Sequence, residues 1–127
     1  MNDRSKSSQA EIHWEGDSKE VVSDFPLDVK SSLGFSLRRI QNGKMPRCES
    51  RPMPSIGPGV IELKESDERT WYRVMYLTKV DSVIHVLHCF EKDSRKTDKR
   101  DLDITLARLK VVQARIREKK RDEKHKQ

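Results

Sequence analysis

The sequence predicts an α+β domain with a small antiparallel sheet, in the order β-α-α-β-β-β-α. Three stretches rich in Val, Ile, Tyr and Trp follow one another between residues 60 and 92. Only short polar links separate them, as in an antiparallel meander. Before and after this region, apolar residues recur every three or four positions, and that spacing indicates helices on both sides of the strands.

The first third of the chain predicts an arm, a strand and two helices. Residues 1–10 are polar and aperiodic, so we expect a flexible arm, and residues 11–16 have the pattern of a short strand. Asp17 is suited to cap a first helix, and Pro26 ends that helix or begins the next. Gly34 is a weak point in the second helix, costing about 1 kcal/mol relative to Ala. Four apolar residues on one face predict this second helix: Val29, Leu33, Leu37 and Ile40.

The rest of the chain predicts a long loop, the meander and a final helix. Residues 44–59 are rich in Pro and Gly and form the longest predicted loop. An apolar stripe that ends at Ile116 predicts the last helix, and the basic tail of residues 117–127 is expected to be disordered. We therefore place a single domain at residues 11–116. The three predicted strands are residues 60–65, 70–78 and 82–92.

Composition narrows the class of protein but does not choose a partner. The 127 residues carry a formal net charge of +6, which favours polyanions such as nucleic acid. No apolar run is long enough to cross a membrane, and the first ten residues have no apolar core typical of a secretory signal. Cys48 and Cys89 do not form a disulfide framework. We therefore expect a cytoplasmic protein.

Four stretches resemble the HigB-like, phage-derived branch of the RelE/ParE toxin superfamily. They read DSKEVVSDFPLDVKSSLGFSLRRIQNGK, GPGVIELKE, YRVMYL and VLHCFEKDSRKTDKRDLDITLARL, and the resemblance runs from about Ile12 to about Leu109. The last stretch is the most specific, because that branch shows an apolar strand, a His, a Phe and a Lys pair before a helix with an acidic residue. The matching residues here are Leu87, His88, Phe90, Lys92, Thr97 and Asp101.

The resemblance implies a RelE-like sheet packed by two N-terminal helices, and the toxin of a type II toxin–antitoxin system. The best-known relatives cut mRNA at the ribosome, whereas relatives on the ParE side poison DNA gyrase. A cognate antitoxin, expected to be of the helix-turn-helix type, would neutralise the toxin. Three positions depart from the pattern: Asp93 replaces the second Lys, Lys64 replaces an Arg, and Asp98 replaces a Pro. Asp93 would repel phosphate and lower or redirect activity.

Arg73 is the first candidate for the site, because it interrupts an otherwise apolar strand. A guanidinium in that position is costly to bury unless it is paired or faces a ligand. Its forked donors suit a phosphate group. The alternative is an ion pair with Glu62 on the neighbouring strand. Both interpretations remain open from the sequence alone.

His88 and Lys92 complete the predicted catalytic group with Arg73. Alternation along a strand puts Val86, His88 and Lys92 on one face, where His88 could act as an acid or a base. A half-buried His bonded to a neighbouring carbonyl is the alternative. Lys92 continues the strand into solvent, and a desolvated Lys near other cations can lose its proton. Lys64, Arg95 and Lys96 are the predicted RNA-binding residues, although the last two would form an ordinary solvated turn in most proteins.

Other side chains receive structural interpretations. Tyr72 and Tyr76 alternate away from Arg73 and are expected in the core. A zinc site is a weak rival, because alternation sends His85 and His88 to opposite faces and no ligand pair has the usual spacing. Neither a metal nor a cofactor is expected.

The sequence therefore predicts a ribosome-associated, metal-independent mRNA endoribonuclease, an mRNA interferase that inhibits translation. Two alternatives remain: a ParE-like inhibitor of gyrase that is not a nuclease, and an inactive module that binds RNA or a partner.

Overall fold

The computed structural model describes residues 9–93 and 97–125, and it confirms the α+β class. Within these residues, the fold consists of three helices and one five-stranded sheet. The strands are β1 (Glu11–Trp14), β2 (Glu49–Pro52), β3 (Val60–Ser66), β4 (Trp71–Val80) and β5 (Val83–Lys92). The helices are α1 (Ser18–Ser23), α2 (Leu27–Gln41) and α3 (Lys99–His125).

The sheet has the strand order β1-β5-β4-β3-β2, and its central meander is antiparallel as predicted. One edge differs from the prediction, because β1 pairs with β5 in parallel. The hydrophobic pattern of a four-residue strand gives no direction, so the sequence could not distinguish the two pairings. The first strand is preceded by Ala10, which is only 2% exposed and donates its N–H to the Gln41 carbonyl.

The second difference lies in the predicted loop of residues 44–59, where β2 forms the other edge of the sheet. All four of its residues are exposed, so no alternation of apolar and polar side chains marks the strand in the sequence. Backbone pairing with β3 holds β2 in the sheet instead. A polar edge strand ending in Pro52 is typical of a sheet edge that discourages further strand pairing.

Two hydrophobic clusters cover the two faces of the sheet. The first lies under α1 and α2 and includes Leu33, Leu63 and Val74. Tyr72 and Tyr76 belong to it, which confirms their predicted place in the core. The second cluster lies under α3 and includes Met75, Leu87 and Leu109. A five-stranded sheet enclosed on both faces explains how so charged a chain still buries a core.

The register of β4 against β5 decides which side chains share a face. The two-residue link Asp81–Ser82 has φ values of 51° and 67°, the left-handed geometry of a tight hairpin turn. Further along, Met75 pairs with His88 but Tyr76 pairs with Val86, so the ladder contains a bulge. Val86 consequently packs under α1 and α2, and the prediction that it shares a face with His88 is wrong.

The bulge also corrects the prediction that His85 and His88 lie on opposite faces. His85 pairs with Leu77 and His88 with Met75, and both partners pack under α3. Leu87 is the extra residue at the bulge. It shifts the alternation by one position, so His85 and His88 lie on the same face. Nevertheless, no cluster of three or more His, Cys, Asp or Glu suited to a metal ion occurs among residues 9–93 and 97–125.

The last helix is longer than its apolar stripe predicts. The sequence predicts a disordered tail beyond Ile116, whereas α3 continues as one helix to His125. Residues 117–125 are all exposed, so tertiary packing does not hold this part. Arg, Lys and Glu, which dominate it, have high intrinsic helix propensity, and the preceding packed turns provide the nucleus. Where the domain itself ends stays a prediction.

Gly34 offers a direct test of the packing of α2. A Cβ added at this position would meet no atom of the described residues within 4 Å, and the residue is exposed. We expect Gly34→Ala to raise the free energy of unfolding by about 0.5–1 kcal/mol, through lower chain entropy and better helix propensity. Urea denaturation measures this change. A decrease in stability would show that the free chain requires glycine here.

Candidate functional site

Three charged side chains spaced by seven residues connect α3 to the sheet. Asp101 accepts a hydrogen bond from His88, Arg108 donates to the Leu87 carbonyl at 3.0 Å, and Arg115 pairs with Glu15. Positions seven residues apart lie on nearly the same face of a helix. These contacts along one edge of α3 fix the position of the helix against β5 and against the chain that follows β1.

His88 is buried between two charged groups of opposite sign. Its Nε2 lies 2.9 Å from Asp101 Oδ1, and its Nδ1 lies 3.4 Å from Arg108 Nη1. A guanidinium only donates, so Nδ1 must accept and Nε2 must donate to the carboxylate. This arrangement requires the neutral ring. Burial lowers the pKa of His88 below its ordinary value, more than Asp101 raises it. The ring also stacks on Phe90, with centroids 4.9 Å apart.

Arg108 occupies a space that only glycine leaves open. Its Nη2 pairs with Asp17 Oδ1 at 2.9 Å, and its guanidinium contacts the place where a Cβ on Gly16 would lie. Gly16 has a φ of +55°, in the left-handed region that favours glycine. The sequence suggests that Asp17 caps α1, but its side chain makes no capping hydrogen bond. Its carboxylate holds Arg108 instead.

Lys92 lies beside this group, at the end of β5. It forms an ion pair with Asp98, immediately before α3. His88 and Lys92 both line a hollow of about 550 Å³ between β5, α1 and the start of α3, which we call the cleft. Its lining includes three cations and five carboxylates: Lys92, Arg100, Arg108, Asp17, Glu91, Asp93, Asp98 and Asp101. With His88 neutral, the described lining carries a formal charge of −2.

Arg73 lies on the same face as His88 and Lys92, but it is inaccessible. Its guanidinium is 0% exposed, and Nη1 lies 3.4 Å from Glu62 Oε2. Nη1 also contacts the Thr97 hydroxyl, which itself donates to Glu62 Oε2 at 3.2 Å. The structure thus shows the ion pair that was the alternative to a phosphate contact. Arg51 adds a second, more exposed guanidinium to the same carboxylate.

The predicted RNA-binding residues do not gather around the cleft. Lys64 pairs with Arg73 in register but is directed towards Glu49, at 3.3 Å, and the Trp71 ring, at 5.3 Å. It is not part of the cleft lining. Arg95 and Lys96 lie outside the described residues. The geometry therefore brings together His88 and Lys92, with Arg73 beneath the same face.

Cysteine is poorly suited to nucleophilic chemistry in this fold. Burial raises the pKa of the Cys89 thiol to about 12, and it also raises that of Cys48. The thiolate is the reactive form, so both thiols stay protonated near neutral pH. The acid–base groups available in the cleft are His88, Lys92 and the carboxylates around them.

Residues 20–110 match the model of a family described as Phage derived protein Gp49-like (DUF891). The match covers more than half of the 127 residues and includes every named cleft residue except Asp17. The chain belongs to the Gp49-like family. This family is toxin-like, within the RelE/Gp49 group. It indicates the toxin of a toxin–antitoxin pair and implies an antitoxin partner.

A comparison with curated proteins finds no match. Among the residues that the structure describes, no helix has the length and hydropathy needed to span a membrane.

In this Gp49-like chain, sequence reasoning missed the contacts of Arg108, Gly16 and Asp17. A partial signal was present, because Asp101, Arg108 and Arg115 repeat at seven-residue spacing on the edge of the apolar stripe. Helical periodicity identifies that edge, but it does not identify the strand or turn that the edge meets. The approach of Arg108 to Gly16 spans almost the whole domain in sequence, so no local pattern encodes it.

The two buried histidines predict how stability depends on pH. Burial lowers the pKa of both His85 and His88, so the unfolded chain binds these protons at about pH 6.5 and the folded chain only at lower pH. The free energy of unfolding is then complete above about pH 6.5 and decreases as pH falls through that value. Thermal denaturation between pH 8 and 5 measures this loss, and His88→Gln should flatten it. A midpoint that rises on acidification would contradict this account.

Proposed function

We propose that this Gp49-like chain is a HigB-like toxin that cleaves mRNA at the ribosome in the cytoplasm and so inhibits translation. Its reaction needs no metal, and a helix-turn-helix antitoxin neutralises it. The observation that carries the proposal is the common position of His88 and Lys92 in one cleft, mounted on a buried strand and closed by α3. A rigid support of this kind aligns reacting groups without a large entropic cost during reaction.

The proposed reaction uses the ribose 2′-hydroxyl as the nucleophile. His88 Nδ1 takes the 2′ proton after the RNA phosphate draws Arg108 away from this nitrogen, a contact of 3.4 Å in the free protein. Asp101 stabilises the resulting imidazolium through Nε2. The 2′ oxygen bonds to phosphorus, and the bond from phosphorus to the 5′ oxygen breaks. The products are a 2′,3′-cyclic phosphate and a 5′-hydroxyl.

Cations in the cleft complete this proposal. Lys92 exchanges Asp98 for the reacting phosphate and donates its proton to the departing 5′ oxygen. Arg100 and Arg108 stabilise the charge that develops on the phosphate oxygens. Arg73 acts as a positioning residue, because it holds Thr97 at the point where the chain enters α3. It does not reach the phosphate in this arrangement.

The carboxylates favour two alternative functions that are not nucleases. With five of them against three cations, the described lining of the cleft repels a polyanion until its ion pairs are exchanged. A chain that binds a protein, whether as an inactive module with a protein partner or as a ParE-like inhibitor of gyrase, would need no such exchange. Cleavage of mRNA separates the nuclease from both alternatives.

Expression of the chain without its antitoxin tests the proposal. We expect growth to stop and primer extension on cellular mRNA to show new 5′ ends within translated regions. Purified RNA fragments should carry cyclic phosphate ends, and chelation of divalent ions should leave cleavage unchanged on an RNA substrate. Growth arrest with intact mRNA and broken DNA would instead support inhibition of gyrase. Normal growth with intact mRNA would support the inactive module.

Asp93 provides a further prediction about the cleft. This exposed carboxylate stands where the related toxins have a second Lys, and it lines the cleft. We expect Asp93→Lys to increase RNA cleavage by about tenfold, as expected when electrostatic attraction replaces repulsion. The increase should shrink at high salt. Glu68→Lys, an equal charge change outside the cleft lining, serves as the control; a decrease with Asp93→Lys alone would contradict the prediction.

A further inference from the structure

A second hollow, on the other side of α1 from the cleft, has the opposite charge. It is lined by β1 and by the two consecutive helices α1 and α2, and we call it the hairpin groove after this pair of helices. Its apolar floor includes Ile12, Trp14, Val22 and Leu37. Ile12 and Trp14 are only partly buried, so some of this floor remains accessible to solvent.

The rim of the hairpin groove is basic. Lys19, Lys30 and Arg38 line it, and its described lining contains no carboxylate. The cleft, by contrast, has more carboxylates than cations. A partner that fits the groove must therefore combine apolar side chains with negative charge around them.

The size of the groove indicates a peptide segment. Its volume of about 240 Å³ is below the roughly 300–1,000 Å³ of pockets that enclose drug-sized ligands. One or two apolar side chains of a partner would fill such a space. A nucleotide strand would satisfy the cations and offer bases to stack on Trp14, but it would leave Ile12, Val22 and Leu37 without a matching apolar surface.

Gly34 gives an independent indication that the groove has an occupant. It lies in the middle of α2, within the groove lining, where glycine weakens a helix. Its backbone has no positive φ, and a Cβ here would meet no atom of residues 9–93 and 97–125 within 4 Å. Nothing in this described part of the chain therefore requires glycine. A partner backbone that approaches α2 closely would require it, because glycine permits such an approach.

We propose that the hairpin groove is the docking site of the antitoxin, through a segment with apolar side chains flanked by Asp or Glu. This proposal uses the antitoxin partner that the family implies, and it does not depend on cleavage of RNA. The helix α1 is a wall of both hollows, since Asp17 and Val21 line the cleft and Lys19 and Val22 line the groove. Docking would thus act on the cleft through α1 while leaving it uncovered.

Calorimetry tests the site by measuring binding of the purified full-length chain to a candidate antitoxin, the protein encoded by the adjacent gene. We expect Gly34→Leu to weaken binding at least tenfold. The matched control is Ser31→Leu, an equal addition of apolar bulk to an exposed position of α2 outside the groove, which should change affinity less than twofold. Equal affinities for wild type and Gly34→Leu, or equal weakening by both variants, would overturn the proposal. No binding by the wild-type chain would also overturn it.

Charge variants provide the second comparison. Arg38→Glu should weaken antitoxin binding at least tenfold, whereas Lys44→Glu, an equal charge change outside the groove, should change it less than twofold. Fluorescence anisotropy with a 20-nucleotide single-stranded RNA separates the other class of occupant. If Gly34→Leu and Arg38→Glu weaken RNA binding and leave antitoxin binding intact, the groove is an RNA site and the proposal fails. Circular dichroism of each variant establishes that it is folded.

Discussion

Arg73→Met is expected to lower the free energy of unfolding by about 3–5 kcal/mol, the effect typical of breaking a buried ion pair. The Glu62 carboxylate, 0% exposed, would lose its buried guanidinium partner. The Thr97 hydroxyl would lose a contact at the same time. Urea denaturation followed by circular dichroism measures the loss.

Two further variants isolate the cause. Arg51→Met removes the other guanidinium from Glu62, but this guanidinium is 58% exposed, so we expect a loss of about 1 kcal/mol or less. The double variant Arg73→Met/Glu62→Leu removes both buried charges and should recover most of the stability. A double variant as unstable as Arg73→Met would show that the ion pair is not the source of the loss.

The double variant also separates a positioning role from a phosphate contact. If Arg73 only positions the chain before α3, the folded double variant should keep RNA cleavage within about tenfold of wild type, far from the loss expected for a removed acid–base group. A stable double variant with no cleavage would place Arg73 among the catalytic residues. Toxicity of Arg73→Ala alone cannot make this distinction, because unfolding also relieves growth arrest.

His88→Gln is expected to reduce RNA cleavage by about 10²- to 10⁴-fold, the usual contribution of a general acid or base. The amide preserves polarity and approximate size, but it cannot take the 2′ proton. Single-turnover cleavage of a defined RNA on ribosomes measures the rate of the chemical step. The cleavage rate of His88→Gln should also no longer change as the pH falls below neutrality, because the imidazole that ionises there is gone.

His85→Gln is the matched control for this variant. His85 is also buried on the α3 face of β5, and it contacts the carboxylate of Glu15 at 3.4 Å, but it does not line the cleft. We expect His85→Gln to retain RNA cleavage and to lose about as much stability as His88→Gln. Full activity in His88→Gln, or equal losses in both variants, would remove His88 from the mechanism.

The meander and the helices could be predicted because their signals are local. Periodicity placed β3, β4, β5 and α2 close to their observed bounds, and alternation correctly placed Tyr72 and Tyr76 in the core. The bulge in β5 could not be predicted, because one extra residue changes every facing side chain without changing composition. The polar edge strand β2 was missed for a related reason: backbone hydrogen bonds hold it, and they leave no mark in the sequence.

The site was predictable only in part. The common face of Arg73, His88 and Lys92 follows from strand pairing, and the structure agrees with it. Burial of Arg73 depends on Thr97 and Glu62, which come from separate segments and meet only in the folded chain. The acidic character of the cleft depends in the same way on Asp17 and Asp101, brought together from opposite ends of the domain.

The unbroken length of α3 concentrates positive charge at one end of the molecule. Residues 110–125 contain seven Lys or Arg and three Asp or Glu, a net of +4 within the +6 of the whole chain. At about 1.5 Å per residue, the exposed turns after Ile116 carry charge about 13 Å beyond the packed part of the helix. A polyanion therefore orients the molecule before contact, and encounter rates fall as salt shortens the Debye length, which is about 8 Å at physiological ionic strength.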